Sequence, residues 1–369
     1  MSQFNKFIIS GGGTGGHIFP AIAIANALKA KTENAEILFI GAEGRMEMEK
    51  VPAAGYRIVG LPIRGFDRKN MLRNVKTLLL LAKSMYKAKK IVREFAPDAV
   101  IGVGGYASGP TLKVAAQLGI PVIVQEQNSF AGVTNKLLSH KAACFCVAYE
   151  GMERFFPKEK IILTGNPIRQ DLQLDPAKKA EAYQFFHLDP TKKTLLVIGG
   201  SLGARTLNQS LLAHLETLAK SNIQVIWQAG KIYIETLRTS AAPQLNTNII
   251  LTDFVARMDY AYAIADLVIS RAGASSISEL CLLGKPSILV PSPNVAEDHQ
   301  THNAMALVHK DAAVIIKDVD AREHLVPEAL KLIEDRQRLT TLSENCLLLA
   351  QKDSAARIAD EILKRAKTN

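Results

Sequence analysis

Short apolar runs alternate with stretches of helical periodicity along most of the chain. In the first half, five such runs lie at positions 7–10, 36–41, 99–103, 121–126 and 143–148. Most of them are rich in β-branched residues, and helical stretches separate most of them. This alternation is typical of βαβ units and predicts a parallel sheet that is covered by helices on both faces.

The alternation pauses at residues 160–172, where Gly165 and Pro167 interrupt it, and then begins again. Six further apolar runs predict a second doubly wound sheet, at positions 194–200, 224–230, 248–254, 267–273, 286–292 and 312–317. The sequence therefore predicts an α/β protein with two doubly wound, Rossmann-like domains, over residues 1–165 and 166–345. The last segment, residues 346–369, is helical in period and could pack back on the first domain.

Four glycine-rich loops follow apolar runs and lead toward helices, at residues 11–17, 102–109, 199–204 and 271–276. In open α/β sheets, ligands bind at the carboxyl ends of the strands. Four loops at equivalent positions therefore predict a ligand-binding edge in each domain. If the two domains face each other, these loops line opposite walls of one cleft.

The first of these loops has the composition of an anion site. Five of the six residues from 11 to 16 are glycine, and a helix follows, so backbone N–H groups can approach a phosphate closely. His17 comes directly afterwards, where it could act as an acid or a base. The spacing of Gly11, Gly13 and Gly16 also fits a dinucleotide fingerprint. Because Glu43 is a poorly placed ribose acid, NAD binding stays a minor alternative.

Glu126 ends an apolar run and has amide side chains as neighbours in sequence, at Gln125, Gln127 and Asn128. It could be an ordinary loop carboxylate. A carboxylate grouped with amides at a strand end also suits the binding of sugar hydroxyls or general base catalysis.

Glu279 admits two interpretations. It follows Ser276 at the spacing of a capping box, in which the carboxylate would only serve the helix. It could instead accept hydrogen bonds from a ribose diol, with nearby amides on the phosphates. Farther along, Asp318 and Asp320 resemble an Asp-x-Asp metal motif, but they lie in a charged stretch that we interpret as solvated surface.

Composition supports a globular protein with an acidic partner. The chain has 369 residues, 48% of them hydrophobic, and a formal net charge of +10 at pH 7. This length predicts two domains, and the charge favours nucleic acid, anionic lipid or a phosphorylated small molecule. Cys144 and Cys146 alternate on one strand, which predicts buried, reduced thiols that share a face.

Basic residues are concentrated between positions 64 and 93, where ten lysines and arginines accompany a single acid, Asp67. Leucines interleave with them, so the segment could cover the core or lie on an anionic bilayer, where each basic residue adds about 1 kcal/mol. We favour the membrane surface over nucleic acid, because aromatic residues are few and no nucleic-acid motif occurs. No apolar run approaches the ~18 residues that span a bilayer, and the early glycine loop leaves no room for a signal peptide, which predicts a cytoplasmic protein.

Six motifs in this order resemble the MurG family of GT-B glycosyltransferases, glycosyltransferase family 28. They occupy residues 12–21, 102–110, 125–132, 165–169, 199–204 and 271–279. The resemblance covers essentially the whole chain. It implies inverting transfer of GlcNAc from UDP-GlcNAc to the C4 hydroxyl of MurNAc in undecaprenyl-pyrophosphoryl-MurNAc-pentapeptide. This converts lipid I to lipid II for peptidoglycan, at the cytoplasmic face of the inner membrane, without a cofactor or a metal.

The resemblance also implies roles for individual residues. His17 and Glu126 would lie near the acceptor hydroxyl, with His17 the first choice of base. Substrate-binding positions carried over from the family are Thr14, Gly15, Gly16, Asn128, Arg169, Ser201, Val255, Ala274, Ser275, Ser276, Ile277, Ser278, Glu279, Gln300 and Asn303. One departure is visible, because the family often has histidine where this chain has Gln125.

Rival functions stay open at this point. One is another UDP-sugar enzyme of the same architecture, such as a glycolipid synthase or a UDP-GlcNAc epimerase. Another is a non-catalytic nucleotide-binding module. The basic, leucine-rich segment argues against the epimerase, which has no need of a membrane.

Overall fold

Two compact units make up the chain, as seen in a computed structural model that describes residues 6–65, 73–168, 172, 177–200 and 202–366. Unit 1 comprises residues 1–168 and 351–369, and unit 2 comprises residues 169–350.

Unit 1 contains a seven-stranded sheet in which all strand pairs are parallel. Its strands are β1 (Lys6–Ser10), β2 (Glu36–Ala42), β3 (Arg57–Leu61), β4 (Ala99–Gly102), β5 (Val122–Glu126), β6 (Cys144–Val147) and β7 (Ile161–Leu163). Its first helices are α1 (Gly15–Lys31), α2 (Glu47–Ala53), α3 (Arg73–Phe95), α4 (Ser108–Gln117) and α5 (Val133–Leu137).

Unit 2 contains a six-stranded parallel sheet. Its strands are β8 (Lys193–Ile198), β9 (Ile223–Gln228), β10 (Ile249–Thr252), β11 (Leu267–Ser270), β12 (Ser287–Leu289) and β13 (Val314–Ile315). Its helices are α6 (Ala177–Phe186), α7 (Arg205–Ala213), α8 (Leu215–Lys220), α9 (Ile234–Ala241), α10 (Met258–Ile264), α11 (Ala274–Leu282), α12 (His299–Val308), α13 (Ala321–Glu334) and α14 (Arg336–Leu348).

Strand order confirms the prediction of two doubly wound sheets. The orders are β3-β2-β1-β4-β5-β6-β7 and β10-β9-β8-β11-β12-β13. The direction of winding reverses between β1 and β4 in unit 1 and between β8 and β11 in unit 2. At such a reversal the loops that follow the two central strands diverge and leave a crevice for a ligand. The four glycine-rich loops of the sequence are the loops that follow these four strands.

Two strands of unit 1 were missing from the sequence prediction. β3 and β7 are the two edge strands of the sheet. β3 begins with an exposed arginine and contains a glycine, whereas β7 has only three residues. Both are buried less completely than the central strands, and the apolar run is interrupted by glycine in β3 and is only three residues long in β7.

The core of unit 1 lies on both faces of its sheet, because successive side chains of a strand point to opposite faces. Phe7 and Ile9 of β1 belong to one buried cluster, and Ile8 belongs to the other. Cys144 and Cys146 share the cluster of Phe7, and both thiols are free and buried, which confirms the interpretation of these cysteines. Continuous apolar runs are therefore the expected sequence of these central strands.

The C-terminal helix α15 (Ser354–Arg365) returns to unit 1 and packs on α1 through a buried face that includes Ile358 and Ile362. The return begins later than the expected residue 346. Residues 346–350 stay with unit 2, where the Sγ atom of Cys346 lies 3.7 Å from that of Cys281 on α11. The chain turns between α14 and α15 at Asp353, whose φ is 55°.

Candidate active-site residues in the two units

The carboxylate of a buried glutamate lies against the first glycine loop. Glu47 on α2 is only 1% exposed, and its carboxylate accepts hydrogen bonds from the N–H groups of Gly13 (2.8 Å) and Ala42 (2.9 Å). A Cβ atom on Gly12, whose φ is +145°, would lie 2.3 Å from the Glu47 carboxyl carbon. Only glycine fits at this position.

The other early amides of this loop are also used within unit 1. Gly11 N–H donates to the carbonyl of Ile40 (3.2 Å), and Gly12 N–H donates to that of Gly104 (3.3 Å). The expectation that these loop amides hold a ligand phosphate is therefore wrong, because a carboxylate of the protein and two carbonyls already accept from them. The N-terminus of α1, at Thr14, Gly15 and Gly16, remains the part of the loop that can face a ligand.

The same contact weakens the dinucleotide alternative. A second anion beside the buried Glu47 carboxylate would be repelled. Glu43, the candidate ribose acid, instead forms an ion pair with Lys87 on α3, with 2.9 Å between Lys87 Nζ and Glu43 Oε1.

His17 lies where three loops of unit 1 meet. It occupies the first turn of α1 and is half-buried. Its Nδ1 atom lies 3.0 Å from Oε1 of Gln127, which follows β5. Gly104, which follows β4, leaves room for the imidazole, since a Cβ atom there would lie 2.8 Å from His17 Cε1. The loops after β1, β4 and β5 therefore fix the position of this ring.

Glu126 has a different environment from the one expected of a general base. It is 2% exposed, and its two carboxylate oxygens accept four hydrogen bonds. Oε1 accepts from the N–H and the side-chain amide of Asn128 (3.1 and 3.4 Å), and Oε2 from the N–H of Gly132 (3.0 Å) and the amide of Asn135 (2.8 Å). The carboxylate thus holds the loop between β5 and α5 in shape, and Asn128 is part of that arrangement.

In unit 2, the N-terminus of α11 has the geometry that the prediction of an anion-binding turn requires. Gly273 is the N-cap, so Ala274, Ser275 and Ser276 form the first turn, and their amides point out of the helix. Two other expected contacts point elsewhere: Ile277 is buried in the core, and the Ser278 hydroxyl donates to the carbonyl of Ala274 (3.0 Å).

The capping-box interpretation of Glu279 is wrong. A capping box needs Ser276 at the N-cap, but the helix begins two residues earlier, at Ala274. Glu279 instead lies one turn further along α11 and is half-buried, and its Oε2 accepts a hydrogen bond from the Tyr262 hydroxyl (3.0 Å). Tyr262 on α10 thereby holds the carboxylate one turn from the N-terminus of α11.

The other residues that were predicted to contact the donor have different surroundings. Val255 is buried, whereas the preceding Phe254 is 54% exposed at the carboxyl end of β10, an aromatic candidate that sequence reasoning missed. Gln300 accepts from the N–H of Ser292 (2.8 Å), and the buried Asn303 donates to the carbonyl of Ala272 (3.4 Å). Two other predicted residues, Arg169 and Ser201, lie outside the described part of the chain.

An ion pair supports the loop that contains Phe254 and Val255. Arg257 donates through Nε and Nη2 to the two carboxylate oxygens of Asp259, at 2.9 and 2.7 Å. These hydrogen bonds lower the pKa of Asp259 to about 2. The loop between β10 and α10 is therefore fixed at its α10 end by a charged pair at neutral pH.

Asp318 is not the solvated surface residue that the sequence suggested. Its Oδ1 accepts from Arg271 Nη1, and its Oδ2 accepts from the Thr206 hydroxyl (2.9 Å). Arg271 also donates to the carbonyl of Val290 (3.0 Å). This cluster joins four segments at the carboxyl edge of the sheet, and its partners are too distant in sequence for a local pattern to show them. Asp320, by contrast, is exposed as expected.

The described residues were compared with the requirements of a membrane span and of a metal site. None of the helices in that part of the chain is long and apolar enough to span a membrane. No group of three or more histidine, cysteine, aspartate or glutamate side chains within it is arranged to hold a metal ion.

Two doubly wound parallel sheets in one chain, each with loops at its point of reversal, are the architecture of GT-B glycosyltransferases. The glycosyltransferase family 28 N-terminal domain matches residues 7–147, and the glycosyltransferase family 28 C-terminal domain matches residues 194–362. The chain belongs to glycosyltransferase family 28.

Relatives and a solved structure agree with this assignment. A Parabacteroides distasonis protein is 63% identical over 97% of this chain and 98% of its own length. A Bacteroides fragilis protein is 58% identical over 98% of this chain and 96% of its own length. Both are named UDP-N-acetylglucosamine--N-acetylmuramyl-(pentapeptide) pyrophosphoryl-undecaprenol N-acetylglucosamine transferase. The crystal structure of Acinetobacter baumannii MurG is similar with a TM-score of 0.80, at 28% identity over 98% of this chain and 99% of that one.

The surroundings of Glu279 predict that Glu279→Gln weakens nucleotide binding without unfolding unit 2. A hydrogen bond to a charged group contributes about 1.5–3 kcal/mol, so we expect the Kd for UDP to rise about ten- to hundredfold in calorimetric titration. The control is Glu235→Gln, at an exposed position on α9. A lowered melting temperature with an unchanged Kd would show that Glu279 serves only to hold Tyr262 and the helix.

Proposed function

We propose that this protein transfers GlcNAc from UDP-GlcNAc to the C4 hydroxyl of MurNAc in undecaprenyl-pyrophosphoryl-MurNAc-pentapeptide. The product is lipid II, the disaccharide lipid from which peptidoglycan is built. The observation that carries this proposal is 63% identity over nearly the full length with a relative whose name states that transfer. The chain also spans both domains of the family.

Unit 2 binds the donor in this proposal. The N-terminus of α11 carries a partial positive charge of about half an elementary charge, and its amides suit the diphosphate of UDP. Glu279, held by Tyr262 at 3.0 Å, accepts hydrogen bonds from the ribose hydroxyls. The exposed ring of Phe254 offers a surface on which uracil can stack.

Unit 1 provides the base. The C4 oxygen of MurNAc attacks the anomeric carbon of GlcNAc from the face opposite the diphosphate, so the configuration inverts. The new C–O bond forms as the bond between the anomeric carbon and the phosphate oxygen breaks, and the electron pair leaves with UDP. The hydroxyl proton passes to His17, because the geometry of Glu126 commits both of its oxygens to the loop.

The leaving UDP is stabilised by fixed dipoles. Charge develops on the diphosphate as the glycosidic bond breaks, and the first-turn amides of α11, which the helix already holds in place, donate hydrogen bonds to it in this proposal. Such preorganised donors need no reorganisation in the transition state. They do for this reaction what a divalent cation does in metal-using transferases.

Substitution of His17 should mainly lower kcat, whereas substitution of Glu126 should mainly lower stability. In an assay that follows radiolabelled GlcNAc into a lipid I analogue, His17→Ala should lower kcat by about 10²–10⁴-fold, with little change in KM for UDP-GlcNAc. Glu126→Gln sets a side-chain NH2 group against the N–H groups that now donate to the carboxylate, so it should lower the free energy of unfolding by about 1–3 kcal/mol. It should reduce kcat less than His17→Ala does. Glu153→Gln, at an exposed position of unit 1, is the control. The opposite ranking of kcat would make Glu126 the base.

Removal of metal should leave turnover intact. Because amide dipoles stabilise the leaving group, wild-type kcat in the same assay should stay within about twofold after treatment with EDTA. Readdition of magnesium or manganese should not raise it further. A strict requirement for a divalent cation would overturn this part of the mechanism.

We also propose that α3 brings the enzyme to the membrane surface that holds its lipid acceptor, as a peripheral protein on the cytoplasmic face. Its inner face packs on the sheet through Ala88 and Val92. Its outer face carries exposed apolar residues at helical spacing, Val75, Leu78, Leu79 and Tyr86. Exposed lysines stand on the same helix at Lys83, Lys89 and Lys90. Exposed apolar groups beside basic groups are the composition of a helix that lies on an anionic bilayer. Residues 66–72 of the basic segment lie outside the described residues.

Neutralising these lysines should weaken binding to anionic vesicles. Each basic residue near such a surface contributes about 1 kcal/mol, so the triple change of Lys83, Lys89 and Lys90 to glutamine should lower the partition coefficient about tenfold or more. Sedimentation with phosphatidylglycerol vesicles measures this. The matched control exchanges three exposed lysines of unit 2, Lys220, Lys231 and Lys310. Equal losses in both triple variants would make the effect one of net charge and not of α3.

A further inference from the structure

The orientation of the Gln127 side chain follows from what surrounds it. Its Nε2 donates to the carbonyl oxygen of Val103 (2.8 Å) and to Oε1 of Gln125. A backbone carbonyl can only accept, so the NH2 group of Gln127 must lie on that side. Its Oε1 therefore faces Nδ1 of His17, at 3.0 Å.

A second backbone carbonyl fixes the rest of this amide network. Asn166 donates through Nδ2 to the carbonyl of Gln127 (3.0 Å), so its Oδ1 faces Gln125 and accepts from Gln125 Nε2 (3.0 Å). Gln125 must then present its Oε1 to Gln127. All three amide side chains are at most 3% exposed. No member of this network can be reversed without setting donor against donor or acceptor against acceptor.

We propose that Gln127 is a positioning residue that fixes the tautomer of His17, with the proton on Nδ1. An amide oxygen can only accept a hydrogen bond, so neutral His17 must donate to it from Nδ1. The other ring nitrogen, Nε2, is then the one that carries the basic lone pair. This inference rests on the proposed role of His17 as the base, and it specifies which nitrogen takes the proton.

The chemistry of the transfer agrees with this arrangement. When Nε2 takes the proton of the acceptor hydroxyl, the ring becomes an imidazolium that donates from both nitrogens. The bond from Nδ1 to Gln127 Oε1 is kept and strengthened, because a hydrogen bond from a charged donor is stronger. Gln125 supplies an acceptor that, together with the carbonyl of Val103, holds Gln127 in this orientation.

The tautomer can be measured directly, without turnover. In the full-length protein labelled with ¹⁵N-histidine, the His17 signals are those lost in His17→Ala. At a pH where the imidazoles are neutral, we expect wild-type His17 to show a protonated Nδ1. Gln127→Met, which removes the acceptor, should move the proton to Nε2 in most molecules. In the transfer assay the same variant should lose about ten- to hundredfold in kcat, with KM for UDP-GlcNAc within about twofold.

Two further variants separate positioning from general damage. Gln127→Glu keeps an acceptor oxygen beside His17 and should keep the proton on Nδ1, although its second oxygen then faces the carbonyl of Val103 and should lower the free energy of unfolding. Gln224→Met removes a buried glutamine of unit 2 that makes several hydrogen bonds, and should leave the His17 tautomer and kcat unchanged. Protonation of Nε2 in the wild-type protein would overturn the proposal, whatever the variants do, as would an unchanged tautomer in Gln127→Met. If His17→Ala retains full turnover, the role of His17 as the base fails independently of this spectrum.

Discussion

The reversal of strand order at the centre of each parallel sheet is the constraint on which the other features depend. Parallel strands end at the same edge, and adjacent connections normally run to the same side of the sheet. Between β1 and β4, and between β8 and β11, the connections run to opposite sides, so the loops separate and leave space. Both candidate elements lie at these points: α1, whose first turn carries His17, follows β1, and α11, which carries Glu279, follows β11.

The two units use equivalent points of the fold in different ways. In unit 1 the buried Glu47 carboxylate takes the amides that a phosphate would otherwise use. In unit 2 the corresponding turn after β11 ends in a helix N-terminus, with a carboxylate one turn away that is held by Tyr262. A site already filled by an internal anion is unsuited to a nucleotide, whereas a helix N-terminus with a nearby carboxylate has the groups that a nucleotide needs. In the function proposed above, the same topology serves donor binding in one unit and acid–base chemistry in the other.

Buried amide side chains have a central role in the chemistry proposed for unit 1. A carboxylate beside His17 would also fix its tautomer, but it would add a negative charge where the proposed function brings in an anionic, pyrophosphate-bearing acceptor. A glutamine oxygen accepts the same hydrogen bond without that charge. The cost is that the amide must be held in one orientation, and this is what the backbone carbonyls of Val103 and Gln127 achieve through the network. Glu126 contributes indirectly, because its four accepted hydrogen bonds hold the loop that follows Gln127.

The sequence by itself determined the two sheets, their central strands and the four loops at the points of reversal. Strands that are buried on both faces must be apolar throughout, and glycine is required where the backbone turns sharply, so both features are visible locally. Only the tertiary structure decided which loop amides are already used and what each carboxylate does. Glu47 lies 34 residues from Gly13, Asp318 lies 47 from Arg271, and Gln127 lies 110 from His17. No periodicity connects such positions, because the fold alone brings them within hydrogen-bonding distance. The edge strands β3 and β7 were also found only in three dimensions, because they are partly exposed and their apolar runs are interrupted or short.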